Sequence, residues 1–443
     1  MSMPSRNNPR KRNNQGKKNI SSTKKRRTLN YPRVFLALLI LLFIFFIVYK
    51  GISKLNTSFM NANENIDTSN VNSQDENVPN GNRIPDKKEN QKNPDITINM
   101  AFTGDIMCHN TMFKDAYNSD TKEYDFSYYF DDIKYRLQTA DITVGNLETT
   151  FAGAGVGYSG YPTFNTPETL AKSLKNIGFD VVSTANNHCL DKGYKGIEST
   201  IDYLDEADIS HTGTYKSKEA QDTILVKDVK GVKIAFLSFT YGTNGIKIPS
   251  GKEYCVNLND EETILSQLEL AKKTNADLIC VCMHWGVEYQ TKPNKDQKNL
   301  AEFMIKNGAD FIIGNHPHVP QSMELKTVTL DDGTEKEAFV IYSLGNFMAD
   351  QNKAYTRDSL ILDLKYTKSG ETGKMTFNSA TYTPTYVYKN TAVDNKKFRI
   401  LDMAESIEKY KSGYDKSIGQ KMFDTLNTEI ENVRNIVGDE IKK

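Results

Sequence analysis

DFIIGNHPH (310–318) is a short apolar run that ends in polar and imidazole-bearing residues, and this arrangement recurs along the chain. The other such runs are ITINMAFTG (96–104), DITVGNLE (141–148), DVVSTANNH (180–188), VKIAFLSFT (232–240), DLICVCMHW (277–285) and AFVIYSLGNF (338–347). Runs of this length between turn-forming residues predict buried strands. The helix-like stretches between them are 126–139, 167–177, 196–207, 261–274 and 295–307. The alternation predicts an α/β fold in which helices flank layered sheets.

Polar residues lie at the C-terminal ends of the predicted strands. They are Asp105, Asn146, Glu148, Asn187, His188, His284, His316 and His318. Ligand sites in open α/β sheets lie outside the carboxyl ends of the strands, so we expect these side chains to converge. With His109, five of the six histidines fall at these ends. Imidazole and carboxylate are the usual ligands of Zn, Mn and Fe, and the sequence therefore predicts a divalent-metal site at this edge.

Six ordered segments carry a resemblance to a known family. They are FTGDIM (102–107), GNLE (145–148), NNH (186–188), HWGVEY (284–289), GNHPHV (314–319) and YSLGNF (342–347). These segments resemble those of bacterial capsule synthesis proteins of the CapA type, which are associated with poly-γ-glutamate capsules. That family is similar to calcineurin-like metallophosphoesterases. Over residues 97–350 the resemblance therefore implies a layered β-sandwich flanked by helices, with bound Mn, Zn or Fe.

The resemblance also implies individual roles. Asp105 and His318 match ligands of a first metal. Asn187, His284 and His316 match ligands of a second metal, so that two ions about 3.5–4 Å apart would hold the attacking and leaving oxygens of a hydrolysis. His188 matches the histidine that stabilises or protonates the leaving group.

Two positions depart from the phosphoesterase pattern. Met107 stands where a histidine is expected, and Asn146 stands where an aspartate bridges two metals. A neutral amide holds two dications less well, because an anion is needed between them. Glu148 is an alternative source of the missing carboxylate, and His109 of the missing imidazole. We assign Asn146 to the metal ligands and Glu148, with His188, to the catalytic residues, and we leave open whether the site holds two, one or no metals.

Three further residues are predicted to contact substrate. Trp285 and Glu288 follow His284, with a structural lid as the alternative, and Asn346 follows a strand, with a tight turn as the alternative. The glycine-rich stretch at 153–160 lacks the G-x-G-x-x-G spacing of a dinucleotide site, so no organic cofactor is predicted.

The N-terminal region predicts a membrane anchor. Residues 1–33 contain eleven Lys or Arg and no acid, which leaves 45 basic and 56 acidic residues, a formal charge of −11, on the remaining chain. An apolar run of sixteen residues follows at 34–49. At about 1.5 Å per residue it spans roughly 24 Å, and Ile52 extends it toward the bilayer thickness. The charge asymmetry predicts a cytoplasmic N-terminus and an extracellular C-terminal part at the cell membrane.

Five regions are predicted. They are a basic cytoplasmic arm (1–33), a transmembrane anchor (34–52), a disordered stalk poor in apolar residues (53–95), the CapA-like and metallophosphoesterase-like domain (96–390) and a C-terminal helical extension (391–443).

The resemblance implies a membrane-anchored protein of poly-γ-glutamate, capsule or related cell-envelope polymer synthesis, export or attachment. A metal-dependent hydrolase of phosphoesters or amides is one form of this function. A non-catalytic subunit that binds the polymer or scaffolds an export complex is the alternative, favoured by Met107 and Asn146. A metal-dependent phosphoesterase is the third. The expected partners are an anionic polymer, the membrane and capsule synthase or export subunits, without nucleic acid.

Overall fold

The computed structural model describes residues 93–393 and 395–443. The predicted arm, the predicted anchor and nearly all of the predicted stalk lie outside these residues. The strands are β1 (Ile96–Ile106), β2 (Tyr117–Asn118), β3 (Glu123–Tyr124), β4 (Ile142–Leu147), β5 (Val181–Ser183), β6 (Ser210–Thr212), β7 (Leu225–Val229), β8 (Val232–Thr240), β9 (Leu278–His284), β10 (Phe311–Asn315), β11 (Met323–Thr329), β12 (Glu335–Ile341), β13 (Asn346–Met348), β14 (Asp358–Lys368), β15 (Met375–Lys389), β16 (Phe398–Asp402) and β17 (Ile441–Lys442). The helices are α1 (Asn110–Ala116), α2 (Lys134–Gln138), α3 (Thr169–Asn176), α4 (Gly193–Glu206), α5 (Lys218–Asp222), α6 (Glu261–Lys273), α7 (Lys295–Lys306), α8 (Met403–Lys411) and α9 (Gly419–Val437).

Two large sheets pack against each other. The first has the order β16-β15-β14-β1-β4-β5-β6, with β13 beside β1 and β17 beside β15. The second has the order β11-β12-β10-β9-β8-β7. Between them lies the largest hydrophobic cluster, in which Phe102 of β1 meets Phe311 of β10 with ring centroids 5.7 Å apart. The predicted α/β fold of layered sheets is confirmed.

Strand residues alternate between two buried faces. In β9, Leu278, Cys280 and Cys282 point into the core between the sheets. Their neighbours Ile279 and Val281 point the other way, toward the helices. Because successive side chains of a strand face opposite sides, a strand covered on both faces reads as a continuous apolar run.

Helices cover the outer faces of both sheets. α1, α2, α3 and α4 pack on the larger sheet, and α6 and α7 pack on the smaller one. α6 and α7 begin with side-chain caps from Asp260 and Asn294, which satisfy backbone N–H groups at the helix start. Within residues 93–393 and 395–443, the structure contains no helix with the length and apolar character needed to cross a membrane.

The helix predicted at 126–139 is wrong in its central part. The structure has a 3₁₀ turn at Ser127–Phe130 followed by the short helix α2. Asp131 and Asp132 between them are poor helix formers, and Asp132 pairs with Arg399 of β16 at 2.8 Å. A tertiary contact and local propensity both break this helix. The strand predicted at 180–188 is also shorter than predicted, because only Val181–Ser183 pairs within the sheet.

The C-terminal segment differs from the helical extension predicted at 391–443. β16 pairs antiparallel with β15 and extends the larger sheet by one strand. α8 then buries Met403 and Ile407, and α9 buries Leu426, Ile430 and Val433, in the same cluster that joins the two sheets. The segment therefore completes the core. Its strand β16 also gives the edge of β15 a backbone partner.

Asp358, at the start of β14, is a buried acid whose two carboxylate oxygens lack hydrogen-bond partners. Burial raises the pKa of Asp358 to about 8, and the neighbouring Glu429 carboxylate of α9 adds to the shift. Its pKa in the unfolded chain is about 3.9. As the pH rises from about 4 to about 8, the unfolded state loses a proton that the folded state keeps, so the folded state loses stability across this window.

We predict that Asp358→Asn removes this loss. The unfolding free energy of the variant, relative to that of the parent protein, should rise by at most about 1.4 kcal/mol per pH unit between pH 4 and pH 8. Urea unfolding of the full chain, followed by circular dichroism at several pH values, measures the difference. The control is Asp331→Asn, which removes an exposed carboxylate in a turn. A difference for Asp358→Asn that does not change with pH contradicts the prediction.

Candidate functional site

The predicted site residues meet where the two sheets end. In the larger sheet, Ser183, Asn146, Asp105 and Asn346 are neighbours in register across four strands. In the smaller sheet, His284 pairs with Asn315. The carboxyl ends of parallel strands lie at one edge, so each sheet presents a row of polar side chains to the same space.

A close backbone approach fixes the position of Asp105. A Cβ atom on Gly104 would lie 1.9 Å from the carbonyl oxygen of Gly345, so only glycine fits there. The Asp105 N–H donates to that same carbonyl at 2.9 Å. This contact holds Asp105 beside Asn346 at the end of β1.

The His-Pro-His loop has an uncommon backbone conformation. His316 and His318 have φ angles of 97° and 60°, in the left-handed region, which costs of the order of 1–3 kcal/mol for each non-glycine residue. Asp105 compensates, because its Oδ2 accepts from the His316 backbone N–H at 3.3 Å and from Nδ1 of His318 at 3.1 Å. The strained loop brings both rings to the end of the larger sheet.

Glu148 lies at the centre of the cluster. It has no exposed surface, and neither of its carboxylate oxygens has a hydrogen-bond partner. Burial raises the pKa of this carboxyl well above its ordinary value, and the adjacent charge of Asp105 adds to the effect. An ionised carboxylate in such a place needs a cation, since leaving it unpaired would cost several kcal/mol.

Two groups of buried carboxylate and imidazole ligands share Glu148. One consists of Glu148, His316 and His318, and the other of Asp105, Glu148 and His284. In each group the ligand atoms lie within 4.8 Å of one another. Glu148, predicted as catalytic, thus stands among the candidate ligands, where one carboxylate serves both groups.

The imidazoles are in the form that binds metals. Burial lowers the pKa of His284 well below its ordinary value and lowers the pKa of His316 to about 3, so both rings are neutral near pH 7. Nδ1 of His316 is buried without a partner. Nε2 of His284 lies 3.5 Å from Oε1 of Glu148, which fits two ligands of one ion with bonds of roughly 2.0–2.2 Å. The side chains present therefore fit a divalent cation.

Asn146 is predicted as a metal ligand, but its hydrogen bonds give it a different role. Its Nδ2 donates to Oδ1 of Asp105 at 2.7 Å and faces Nδ1 of His284 at 3.3 Å. Its Oδ1 accepts from the hydroxyl of Ser183 at 2.9 Å and is turned away from the cluster. The opposite amide orientation would place two oxygens against each other at Asp105. Asn146 therefore positions Asp105 and His284.

A hydrogen-bonded chain supports the remaining predicted residues. Oδ1 of Asn187 lies 2.8 Å from Nε2 of His284, which fits two neighbouring ligands of one ion, and Nδ2 of Asn187 donates to Asn244 at 3.1 Å. Nδ1 of His188 donates to the buried carboxylate of Asp191 at 2.7 Å, which fixes the orientation of that ring. Asp191 and Asn244 are not predicted from the sequence. Asp191 follows His188 by three residues in a turn, a recognisable spacing, whereas Asn244 lies in a loop without such a signal.

The structure corrects two of the three predicted substrate contacts. Trp285 is 2% exposed, stacks on Tyr342 and donates its indole N–H to the Tyr342 carbonyl at 2.9 Å, so it belongs to the core. Asn346 is fully buried, and its oxygen accepts from Nδ1 of His318 at 3.1 Å while its nitrogen bonds Thr356 and Gln351. Asn346 thus orients His318. Glu288 is exposed and adds to the raised pKa of Glu148, which places it near the site.

Neither Met107, which stands where a histidine is expected, nor the alternative His109 supplies an imidazole to the site. Met107 is buried against Phe164 and Ala349 and forms an apolar wall. Nδ1 of His109 accepts from the Asp350 backbone N–H at 3.2 Å, and neither candidate ligand group includes this histidine. Burial lowers the pKa of His109 to about 4. His109 is therefore a neutral residue beside the cluster.

Two aromatic rings lie against the site histidines, and one of them, that of Tyr241, is not predicted from the sequence. Tyr241 lies with its ring centroid 4.5 Å from that of His316, and it is 44% exposed. Tyr289 approaches His318 at 6.1 Å, and the ammonium group of Lys353 lies 3.5 Å from the Tyr289 ring centroid. Tyr289 ends the HWGVEY segment (284–289), whereas no motif marks Tyr241, which lies in the loop after β8.

The fold and the site define an α/β sandwich with a buried carboxylate–imidazole centre at its strand ends. The model of the bacterial capsule synthesis protein PGA_cap family matches residues 99–351, which contain every predicted site residue. The chain belongs to this family, as the resemblance predicts.

Two relatives are similar over much of the chain. The capsule biosynthesis protein CapA of Bacillus anthracis is 32% identical over 296 residues, which cover 64% of this chain and 66% of that protein. The PGA biosynthesis protein CapA of Bacillus subtilis (strain 168) is 30% identical over 313 residues, which cover 68% of this chain and 75% of that protein. Among solved structures, a phosphatase from Mycoplasma pneumoniae is similar at a TM-score of 0.39 and 15% identity, covering 65% of this chain and 93% of that chain. That similarity is too distant to assign an activity.

We predict that Asn146→Asp makes stability depend more strongly on divalent metal than it does in the parent protein. A second carboxylate would replace the donor now 2.7 Å from Asp105, so the metal-free variant should lose about 1–3 kcal/mol of unfolding free energy. Added Mn²⁺ should restore this loss, since a ligand at 100 times its Kd stabilises by about 2.7 kcal/mol. Thermal unfolding of the full chain with EDTA or with Mn²⁺ measures both effects.

The matched control is Asn257→Asp, at a buried asparagine that bonds Tyr215 and Gln221 outside the cluster. This variant should lose stability, and Mn²⁺ should raise its unfolding free energy by no more than it raises that of the parent protein. An equal response of the two variants to Mn²⁺ contradicts the prediction for Asn146.

Proposed function

We propose that the protein is a membrane-anchored component of poly-γ-glutamate or related capsule polymer synthesis, whose C-terminal part lies outside the cell and hydrolyses an amide or phosphoester bond at a divalent-metal centre. Membership of the PGA_cap family and the names of the two CapA relatives support the polymer context. The eleven cations that precede the apolar run at 34–49 support the anchor and its orientation.

The observation that carries the proposal is the unpartnered carboxylate of Glu148. A buried acid that serves only the fold is normally bonded to donors, and here both oxygens have none. Four other candidate ligands surround it, namely Asp105, His284, His316 and His318. This is the arrangement expected of a metal centre rather than of a structural ion pair.

These five residues would hold the cation, with Asn187 adding its carbonyl oxygen. A divalent cation bound there supplies Lewis-acid polarisation of a carbonyl or phosphoryl oxygen. His188 lies beside the centre with Nδ1 fixed by Asp191, and in its imidazolium form it would give the Nε2 proton to the departing nitrogen or oxygen. Phe164, at 4.7 Å from His188, limits the access of water to that ring.

A non-catalytic role in binding the polymer is the second candidate. It is favoured by the amide of Asn146, which stands where a carboxylate would help hold two cations, and by the apolar wall formed by Met107. In this form the site holds one ion or none, and the domain binds the polymer during export or attachment. The two candidates differ in whether hydrolysis depends on His188.

We predict that Glu148→Gln lowers metal binding by about 10- to 100-fold, because the shared ligand is lost from both groups. The measurement is the metal content of the full chain in detergent after dialysis against graded chelator, by mass spectrometry. Glu288→Gln, at an exposed carboxylate close to the site, should retain the metal. Equal retention of metal by the two variants would refute the proposed centre.

We predict that His188→Ala lowers the rate of γ-glutamyl amide or phosphoester hydrolysis by about 10²- to 10⁴-fold, while the metal content stays unchanged. The control is His211→Ala, at the one histidine remote from the strand ends. Hydrolysis that is absent in the parent protein, or equal in both variants, argues for the non-catalytic candidate.

A further inference from the structure

A cavity of about 270 Å³ lies beside α1, where β15 ends and β16 begins. Its lining consists of Thr111, Lys114, Asp115, Lys389, Asn395, Lys397 and Phe398. Three of these seven residues are lysines, although the chain beyond the basic arm has a formal charge of −11. The cavity is therefore a local basic site on an acidic protein.

The cavity lies at the same edge of the larger sheet as the candidate metal centre. β1 and β15 both pair antiparallel with β14, so they run in the same direction and end at one edge. Lys389 is the last residue of β15, and Phe398 is the first residue of β16, which runs back from that edge. Asp105 of the candidate metal centre lies at the corresponding end of β1.

Two of the three lysines remain for a ligand. Lys114 and Lys397 form no ion pair with any residue that the structure describes. Lys389 lies 2.5 Å from the carboxylate of Asp350. The one carboxylate of the lining, that of Asp115, accepts from the Tyr128 hydroxyl at 2.7 Å and from the Lys397 backbone N–H at 2.9 Å.

A short stretch of chain joins the cavity to the metal centre. Asp350 binds Lys389 on the cavity side. The next residue, Gln351, accepts from Nδ2 of Asn346 at 3.2 Å, and Asn346 in turn holds Nδ1 of His318. A single polymer chain long enough to extend past Asp350 would reach both the cavity and the metal centre.

We propose that this cavity is a second anion-binding subsite, in which Lys114 and Lys397 bind carboxylate groups of the polymer chain whose neighbouring unit occupies the metal centre. The inference rests on the proposed function. A polymer with a carboxylate on each unit presents several anions in sequence, so binding at one place raises the effective concentration at the other. Ammonium groups on flexible stems suit such point-charge recognition along a chain.

The test measures binding of a short fluorescein-labelled γ-linked glutamate oligomer to the full chain in detergent, by fluorescence anisotropy with Mn²⁺ present. Lys114→Gln combined with Lys397→Gln should weaken binding by about tenfold, as expected for two partly exposed charge contacts. The difference should shrink at high salt, because screening acts over about 10 Å at 0.1 M.

The control combines Lys298→Gln with Lys421→Gln, which removes the same charge from two exposed lysines outside the cavity. This control should bind the oligomer within twofold of the parent protein. Equal weakening by the two double variants would show attraction to bulk charge and overturn the subsite. Circular dichroism of both double variants establishes that each is folded.

Further measurements identify the chemistry of the bound anion. They also distinguish failure of the subsite from failure of the metal centre. Inorganic phosphate that displaces the oligomer at the same lysines more effectively than free glutamate overturns the carboxylate assignment. Binding that weakens in Glu148→Gln but not in the cavity variant overturns the subsite and leaves the metal centre intact. Binding that weakens only in the cavity variant supports the subsite and counts against the proposed metal centre.

Discussion

Glu148 is a carboxylate with no exposed surface and no hydrogen-bond donor, and a group of this kind has to be paired with a cation or a proton. Its surroundings follow from that need. Neutral imidazoles from the smaller sheet and Asp105 from the larger sheet converge on it. The convergence depends on the packing of the two sheets, since Phe102 and Phe311 of the shared core set how the strand ends meet. The glycine-dependent contact between Gly104 and Gly345 and the strained His-Pro-His loop are local adjustments to the same requirement.

Much of the fold could be predicted because both faces of the central strands are buried. Continuous apolar runs such as 232–240 mark such strands, and their alternation with helices indicates layers. The failures have tertiary causes. The helix at 126–139 breaks where Asp132 meets Arg399, a partner 267 residues away in the chain. The strand β16 is only five residues long, and pairing with β15 stabilises it. Neither cause is visible within a local window of sequence.

It is easier to predict which residues belong to the site than to predict the role of each residue. Strand-end position brings Asp105, Glu148 and the histidines together, as the sequence indicates. Whether a side chain faces the cluster or supports it depends on one hydrogen bond. The side-chain oxygen of Asn146 accepts from Ser183. Both the oxygen and the nitrogen of the Asn346 amide are hydrogen-bonded to protein groups. Trp285 follows a site histidine in sequence, yet the alternation of the strand sends it into the opposite core. Contacts from loops, such as those of Asn244 and Tyr241, have no sequence pattern to announce them.

The position of Trp285 has an optical consequence. It is the single tryptophan of the chain, it follows His284 directly, and its backbone N–H donates to the carbonyl of Asn315 at 3.2 Å. Its indole is shielded from water, so its emission should be blue-shifted and free of interference from a second indole. A cation that draws His284 or the loop after Asn315 into a new position would shift the dipoles around this ring. The protein thus carries its own fluorescent reporter one residue from the candidate metal centre.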